Sequence, residues 1–272
     1  MSRPLRLYKY ESFSTRALEN LKNHALYFGS PSGFNDPYDC AVFPSVKEPS
    51  DSEVSLVRDH YLAKQDLPDQ VRRQFQTLDN AGLRLLLLRQ FQGVLDDAVA
   101  TFLSKRGVAC FSERQDSLLM WGHYGGRFKG FCLEFRIDCD PFTKARKVKY
   151  SVDMPQVDIV PLLCDTIEGD SILDLYCTKA YDWHYEKEWR CMHNQAGTAY
   201  TYPPEALSGV YMGPDAAFAS FEIIALILAG QNPDVQLWKG IRSKSEFSVA
   251  FEPVTYTPHI EAKRLGRTPG DA

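Results

Sequence analysis

From about Ser52 to Lys105 the chain repeats its apolar residues at helical spacing, with Leu83, Leu86, Leu87, Phe91, Leu95 and Val99 on one stripe. The segments before and after it alternate at the period of a strand, at residues 6–10, 25–29, 108–112, 130–137, 146–151, 188–193 and 248–256. One long helical block among strands is incompatible with regular strand–helix alternation, so the expected class is α+β, a mixed sheet carrying a helical insertion at about 52–105. Short helices are expected after Ser14, which can cap a segment reaching Asn23, near 118–124 and at 170–180. The nearly continuous apolar run 222–229, closed by Gly230, reads as a central strand buried on both faces, with Asn232 capping a helix that starts at Pro233. Residues 1–256 are thus expected to form a single domain, and 257–272, rich in Pro, Gly and charge, a loose tail.

A chain of 272 residues with 44% hydrophobic content can bury a full core. Its formal net charge of -4 supplies no basic field, so tight unassisted binding to duplex nucleic acid is not expected. The seven cysteines form an odd set without a Cys-x-x-Cys pair, and no secretory leader is recognised, which suits reduced thiols and a cytoplasmic location. The longest apolar stretch, around Leu85 and Leu88, is too short to cross a bilayer, so no membrane association is expected.

The segment Tyr-Glu-Lys-Glu-Trp-Arg, starting at Tyr185, sets two carboxylates two residues apart at the opening of an expected strand. In an extended segment Glu186 and Glu188 share one side, where like charges raise each other's pKa, a cost with more purpose in a cleft than on a plain surface. Three further segments join aromatic rings to hydrogen-bonding groups: Leu-Tyr-Lys-Tyr at 7–10, the Gly-, Pro- and Asp-rich loop at 30–39, and Met-Trp-Gly-His-Tyr at 120–124. Rings and polar tips in that combination suit a ligand with a flat ring and a sugar or phosphate. Taken singly, each also suits an ordinary core in which Tyr, Trp and His satisfy their polar atoms.

The ordered set of Leu-Tyr-Lys-Tyr, Leu-Tyr-Phe-Gly-Ser-Pro-Ser-Gly-Phe-Asn-Asp-Pro-Tyr-Asp, Ala-Cys-Phe-Ser, Leu-Met-Trp-Gly-His-Tyr, Gly-Phe-Cys-Leu-Glu-Phe and Tyr-Glu-Lys-Glu-Trp-Arg resembles the bacterial family catalogued as domain of unknown function 2971 (DUF2971). The likeness runs over roughly residues 5 to 255, with the helical block as its variable part. That family name implies a fold unit but no activity.

A weaker likeness is to the ADP-ribosyltransferases, split-sheet α+β proteins with a polar or aromatic residue on a first strand, a Ser- or Tyr-bearing second strand, and Glu-x-Glu opening a later one. This resemblance implies NAD as substrate, with Glu188 stabilising the ribosyl cation, Glu186 orienting or activating the acceptor, and His123 and Trp121 completing the cleft. It further implies Tyr10, Tyr27 and Phe34 as ring clamps, Ser30 and Asn35 against ribose or phosphate, and Arg6 or Lys9 neutralising the pyrophosphate. The chain lacks the Ser-Thr-Ser triplet of the best-known members. The expectation is an NAD-dependent ADP-ribosyltransferase of bacterial defence or toxin biology, with no metal and with an acceptor, whether protein, nucleic acid, small molecule or water, that the sequence leaves open. Two alternatives stand beside it: a metal-assisted hydrolase or nuclease using Asp36, Asp39, His123, Glu134 and Glu188, and a non-catalytic sensor or interaction module.

Overall fold

Apolar and polar side chains alternate through β1 (Arg6–Glu11), which therefore turns Leu7 to one face of a sheet and Tyr8 and Tyr10 to the other. The computed structural model describes residues 3–40, 43–166 and 171–266, and these divide into two compact units.

The first unit comprises residues 1–30, 107–148 and 182–272. Its eight-stranded sheet follows the order β14-β13-β12-β5-β1-β4-β10-β6, where β4 is Gly107–Ser112, β5 Phe131–Arg136, β6 Arg146–Lys147, β10 Glu188–His193, β12 Leu207–Met212, β13 Gln236–Arg242 and β14 Val249–Val254. Neighbours are antiparallel except β12 and β13, which run parallel. A side ladder pairs β2 (Ala25–Phe28) with β11 (Thr198–Thr201).

One sheet face packs Leu7, Phe111, Phe135, Trp189 and Val210 against α1 (Thr15–Lys22) and α8 (Phe218–Gln231). The opposite face packs Tyr10, Cys132 and Tyr211 against α5 (Leu118–His123), which contributes Met120 and Trp121. Ser14 caps α1 by accepting from the Ala17 amide at 3.2 Å, as its sequence position suggests.

The apolar run at 222–229, expected as a strand, lies inside helix α8. Parallel neighbours cannot be joined by a hairpin, and α8 is the crossover between β12 and β13. Periodicity cannot distinguish a buried strand from an all-apolar helix, and the uninterrupted run left the choice to topology. The helix expected after Pro233 is likewise replaced by β13, and Asn232 instead closes α8, its side-chain amide donating to the Pro204 carbonyl at 2.7 Å. The segment expected as loose contains α9 (His259–Arg264), while 267–272 lie outside the described residues.

The second unit comprises residues 31–106 and 149–181. It holds the helical block as α2 (Asp51–Ala63), α3 (Asp69–Thr77) and α4 (Asn80–Lys105), with Pro68 at the N-cap of α3. Short parallel ladders join β3 (Ser45–Val46) to β8 (Gln156–Val157) and β7 (Lys149–Ser151) to β9 (Thr178–Ala180). The helix expected at 170–180 shrinks to α7 (Ser171–Leu175), since Thr178–Ala180 is β9, and α6 (Val160–Leu163) completes the unit. Val54, Val57, Leu83, Leu87 and Ile159 form its core.

Gly130 ends the loop that enters β5, and a Cβ there would stand 2.1 Å from the Glu11 carbonyl oxygen and 2.9 Å from that of Gly125. Both obstacles are backbone, so no rotamer change relieves them. Gly130→Ala is expected to cost about 2–4 kcal/mol in urea unfolding; a loss below about 0.5 kcal/mol would show that the loop and strand edge can separate.

Candidate active site

Cross-strand pairing brings together residues that lie far apart in sequence. Glu188 of β10 pairs with Ser112 of β4, Ser112 with Tyr8 of β1, and Tyr8 with Glu134 of β5, so four polar side chains form one row across four adjacent strands. Neighbours in such a row are about 5 Å apart. The row lies on the face of Tyr10 and Trp121, opposite the main core.

Glu188 and Arg190, two residues apart, share this face and form a bidentate pair at 2.8 and 2.9 Å, with Arg190 completely buried and Glu188 3% exposed. At the other end, Glu134 accepts from Arg6 Nε at 3.3 Å, Ser208 Oγ at 2.7 Å and the Tyr211 hydroxyl at 2.6 Å. Burial, reinforced by the hydrogen bond and the charge of Glu134, pushes the Tyr211 phenol above its ordinary pKa; burial and then the Glu134 charge do the same to Tyr8. Both phenols therefore stay protonated and able to donate at neutral pH.

Glu186 does not sit on the strand. It ends a 3-10 turn, Tyr181–Glu186, and Lys187 adopts a positive φ of 49° between it and β10. Strand alternation thus does not relate Glu186 to Glu188, which corrects the expectation that the spacing alone sets them side by side. The Glu186 side chain is buried and accepts from the Tyr124 hydroxyl at 2.7 Å, while its backbone carbonyl accepts from Ser112 Oγ at 2.6 Å. Ser112 therefore links the row to the turn. Preceding Glu186 in the chain is the half-buried Tyr185, whose ring centroid lies 6.4 Å from that of the exposed His123 at the end of α5 and 6.0 Å from that of the half-buried Trp183.

The remaining expected site residues fall on several elements. Tyr10 and Trp121 are core members, packed edge to face at 5.1 Å, with the Tyr10 hydroxyl donating to the Arg114 carbonyl and the Trp121 indole to that of Gln115. Lys9 leaves by the opposite face of β1, its ammonium over the Phe111 ring and 3.5 Å from Glu11. Arg6 is on the correct face but is paired with Glu134. Tyr27 lies on the side ladder with the Arg16 guanidinium 5.0 Å from its ring centroid, and Ser30 closes that segment of the first unit. Phe34, Asn35, Asp36 and Asp39 belong to the second unit, where Asp39 forms a buried pair with Lys179 at 3.3 Å. Among the described residues no three His, Cys, Asp or Glu side chains converge as a metal-binding group.

The sequence leaves Tyr8 open, with Arg6, Lys9 and Tyr10, as the first-strand site residue and does not single out Ser112, Trp183 or Tyr185. A signal existed for each: Ser112 ends Ala-Cys-Phe-Ser, Tyr8 lies within Leu-Tyr-Lys-Tyr, and Trp183 and Tyr185 flank His184 immediately before Glu186.

Comparison with known proteins gives a family finding: the family described as Protein of unknown function (DUF2971) matches over residues 120–191. The matched stretch runs from within α5 into β10 and so includes His123, Tyr124, Glu134, Glu186, Glu188 and Arg190. No curated protein and no solved structure matches the chain. No helix among the described residues is long and apolar enough to cross a membrane.

Removing one member of a buried ion pair leaves the other charge without compensation. Arg190→Met is accordingly expected to lower the unfolding free energy by about 3–5 kcal/mol, and the Glu188→Gln/Arg190→Met double variant to recover most of that loss. Urea denaturation of the single and double variants tests the pairing; additive losses would show that the two side chains do not compensate each other.

Proposed function

We propose, for a chain whose residues 120–191 match the family described as Protein of unknown function (DUF2971), the transfer of ADP-ribose from NAD, with the reacting centre at the N-terminal end of β10. The observation that carries this reading is the register row Tyr8–Ser112–Glu188 on three adjacent strands. It supplies, on one face, a first-strand aromatic, a second-strand serine and the second glutamate of Glu-x-Glu, the order in which the resemblance to ADP-ribosyltransferases requires them. The second strand in this arrangement is β4.

The chemistry follows from the charges. As the bond between nicotinamide and the ribose anomeric carbon breaks, nicotinamide leaves with the bonding electron pair and positive charge develops on the ribose. Glu188, oriented by its bidentate pair with Arg190, stabilises that charge. Glu186, oriented by Tyr124, receives the proton of the acceptor as its oxygen or nitrogen bonds to the anomeric carbon. The rings of His123, Tyr185 and Trp183 offer stacking surface for the base.

Two observations favour a second reading, a non-catalytic sensing module: Arg190 engages both Glu188 oxygens, and Tyr10 and Trp121 are committed to packing. Nicotinamide release from NAD by the full-length protein, with protein, nucleic acid or water as acceptor, separates the two. Glu186→Gln keeps the acceptor atom for Tyr124 and is expected to slow release by roughly 10²–10³-fold with Tm nearly unchanged, and chelators are expected to have no effect. Undiminished release in the variant, or none from wild type with any acceptor, would refute the transferase reading; NAD that raises Tm without being consumed would establish the second.

A further inference from the structure

The second unit contains a concavity that its own core does not fill. The stripe on α4 packs Leu83 and Leu87 into the core, but further along the helix Phe91, Leu95 and Ala98 line an open cavity of about 430 Å³. Opposite them stand Val157 of β8, Leu162 of α6 and Leu175 of α7. All of these residues lie within this one unit. At the mouth, Val94 and Leu162 keep 63% and 36% of their surface exposed, so the apolar wall continues out to solvent. Cavities of roughly 300–1,000 Å³ lined mainly by apolar side chains with a few polar groups are the usual form of small-molecule sites.

The charges around the rim indicate which molecules fit. Lys149 Nζ is 3.2 Å from Asp174 Oδ2, and Asp158 Oδ2 is 2.8 Å from Lys47 Nζ. Each charged side chain that lines the cavity therefore has an opposite charge beside it. A charged ligand would enter an apolar space without an uncommitted counter-charge and would bear its own desolvation cost. An uncharged ligand bears none and gains the burial of its apolar surface.

We propose that this cavity is a binding site for an uncharged, largely apolar small molecule, whose body lies between α4, β8 and α6. The assignment does not depend on any activity at β10. It assigns the helical block a role in ligand capture, and the conversion of the α4 stripe from core to cavity wall is the feature that creates the site.

A competition experiment with the full-length protein tests it. The uncharged dye Nile red reports occupancy, and three naphthalenes of similar size compete for the site: neutral 1-naphthylmethanol, anionic 1-naphthoate and cationic 1-naphthylmethylammonium. The neutral compound is expected to displace the dye saturably at one site per chain, with each charged analogue weaker by roughly tenfold or more. Ala98→Phe fills the cavity, and Val94→Glu places a charge at its exposed mouth without touching the core. Each is expected to reduce the affinity for 1-naphthylmethanol by at least about tenfold while the circular dichroism spectrum is preserved, and Val94→Glu carries the test if Ala98→Phe fails to fold. Absence of saturable displacement, affinity unchanged by Val94→Glu, or equal affinity for a charged analogue would each overturn the proposal.

Discussion

The buried pair between Glu188 and Arg190 is the constraint around which the first unit is organised. Two full charges in a sheet interior are tolerable only where each satisfies the other, and the bidentate geometry achieves that. The requirement fixes the register of β10 against β4, because a slip of one residue would turn both charges into the face that packs Phe111, Phe135 and Trp189. With β10 fixed, Ser112 stands opposite Glu188 and can reach the carbonyl of Glu186, which locates the preceding turn. The row across β10, β4, β1 and β5 is thus a consequence of ordinary sheet pairing anchored by one expensive interaction.

The same sheet separates two kinds of aromatic residue. Those whose polar tips meet backbone carbonyls, Tyr10 and Trp121, act as structure and hold α5 against the sheet. Those bonded to Glu186 or just before it in the chain, namely Tyr124, Tyr185 and Trp183, remain partly exposed, and one of them donates to a carboxylate. Composition does not distinguish the groups, because a tyrosine in a core and a tyrosine in a site satisfy the same need for a hydrogen-bond partner. The distinction comes from where the partner lies.

In the second unit the contrast is between filled and unfilled apolar surface along a single helix. Leu83 and Leu87 pack with α2 and α6 residues and vanish from solvent, whereas two turns on Phe91, only partly packed against that core, and Leu95 line the open cavity. Periodicity records that a helix has an apolar side and is silent on whether that side reaches a neighbour.

The sequence by itself determined the α+β class, the helical block near 52–105, most strands of the first unit and the cap at Ser14, because each rests on local periodicity or on a side chain bonding its own backbone. It also located the segments, 120–124 and 185–190, that lie within the family match. Only the tertiary structure decided that 218–231 is a crossover helix, since that follows from the parallel pairing of β12 with β13. Likewise, the positive φ at Lys187 removed Glu186 from the strand, Arg190 bound Glu188, and pairing set Ser112 and Tyr8 beside them. Partners such as Ser112 and Glu186, 74 residues apart, carry no mutual signal in a linear pattern; contact between them exists only once the sheet has closed.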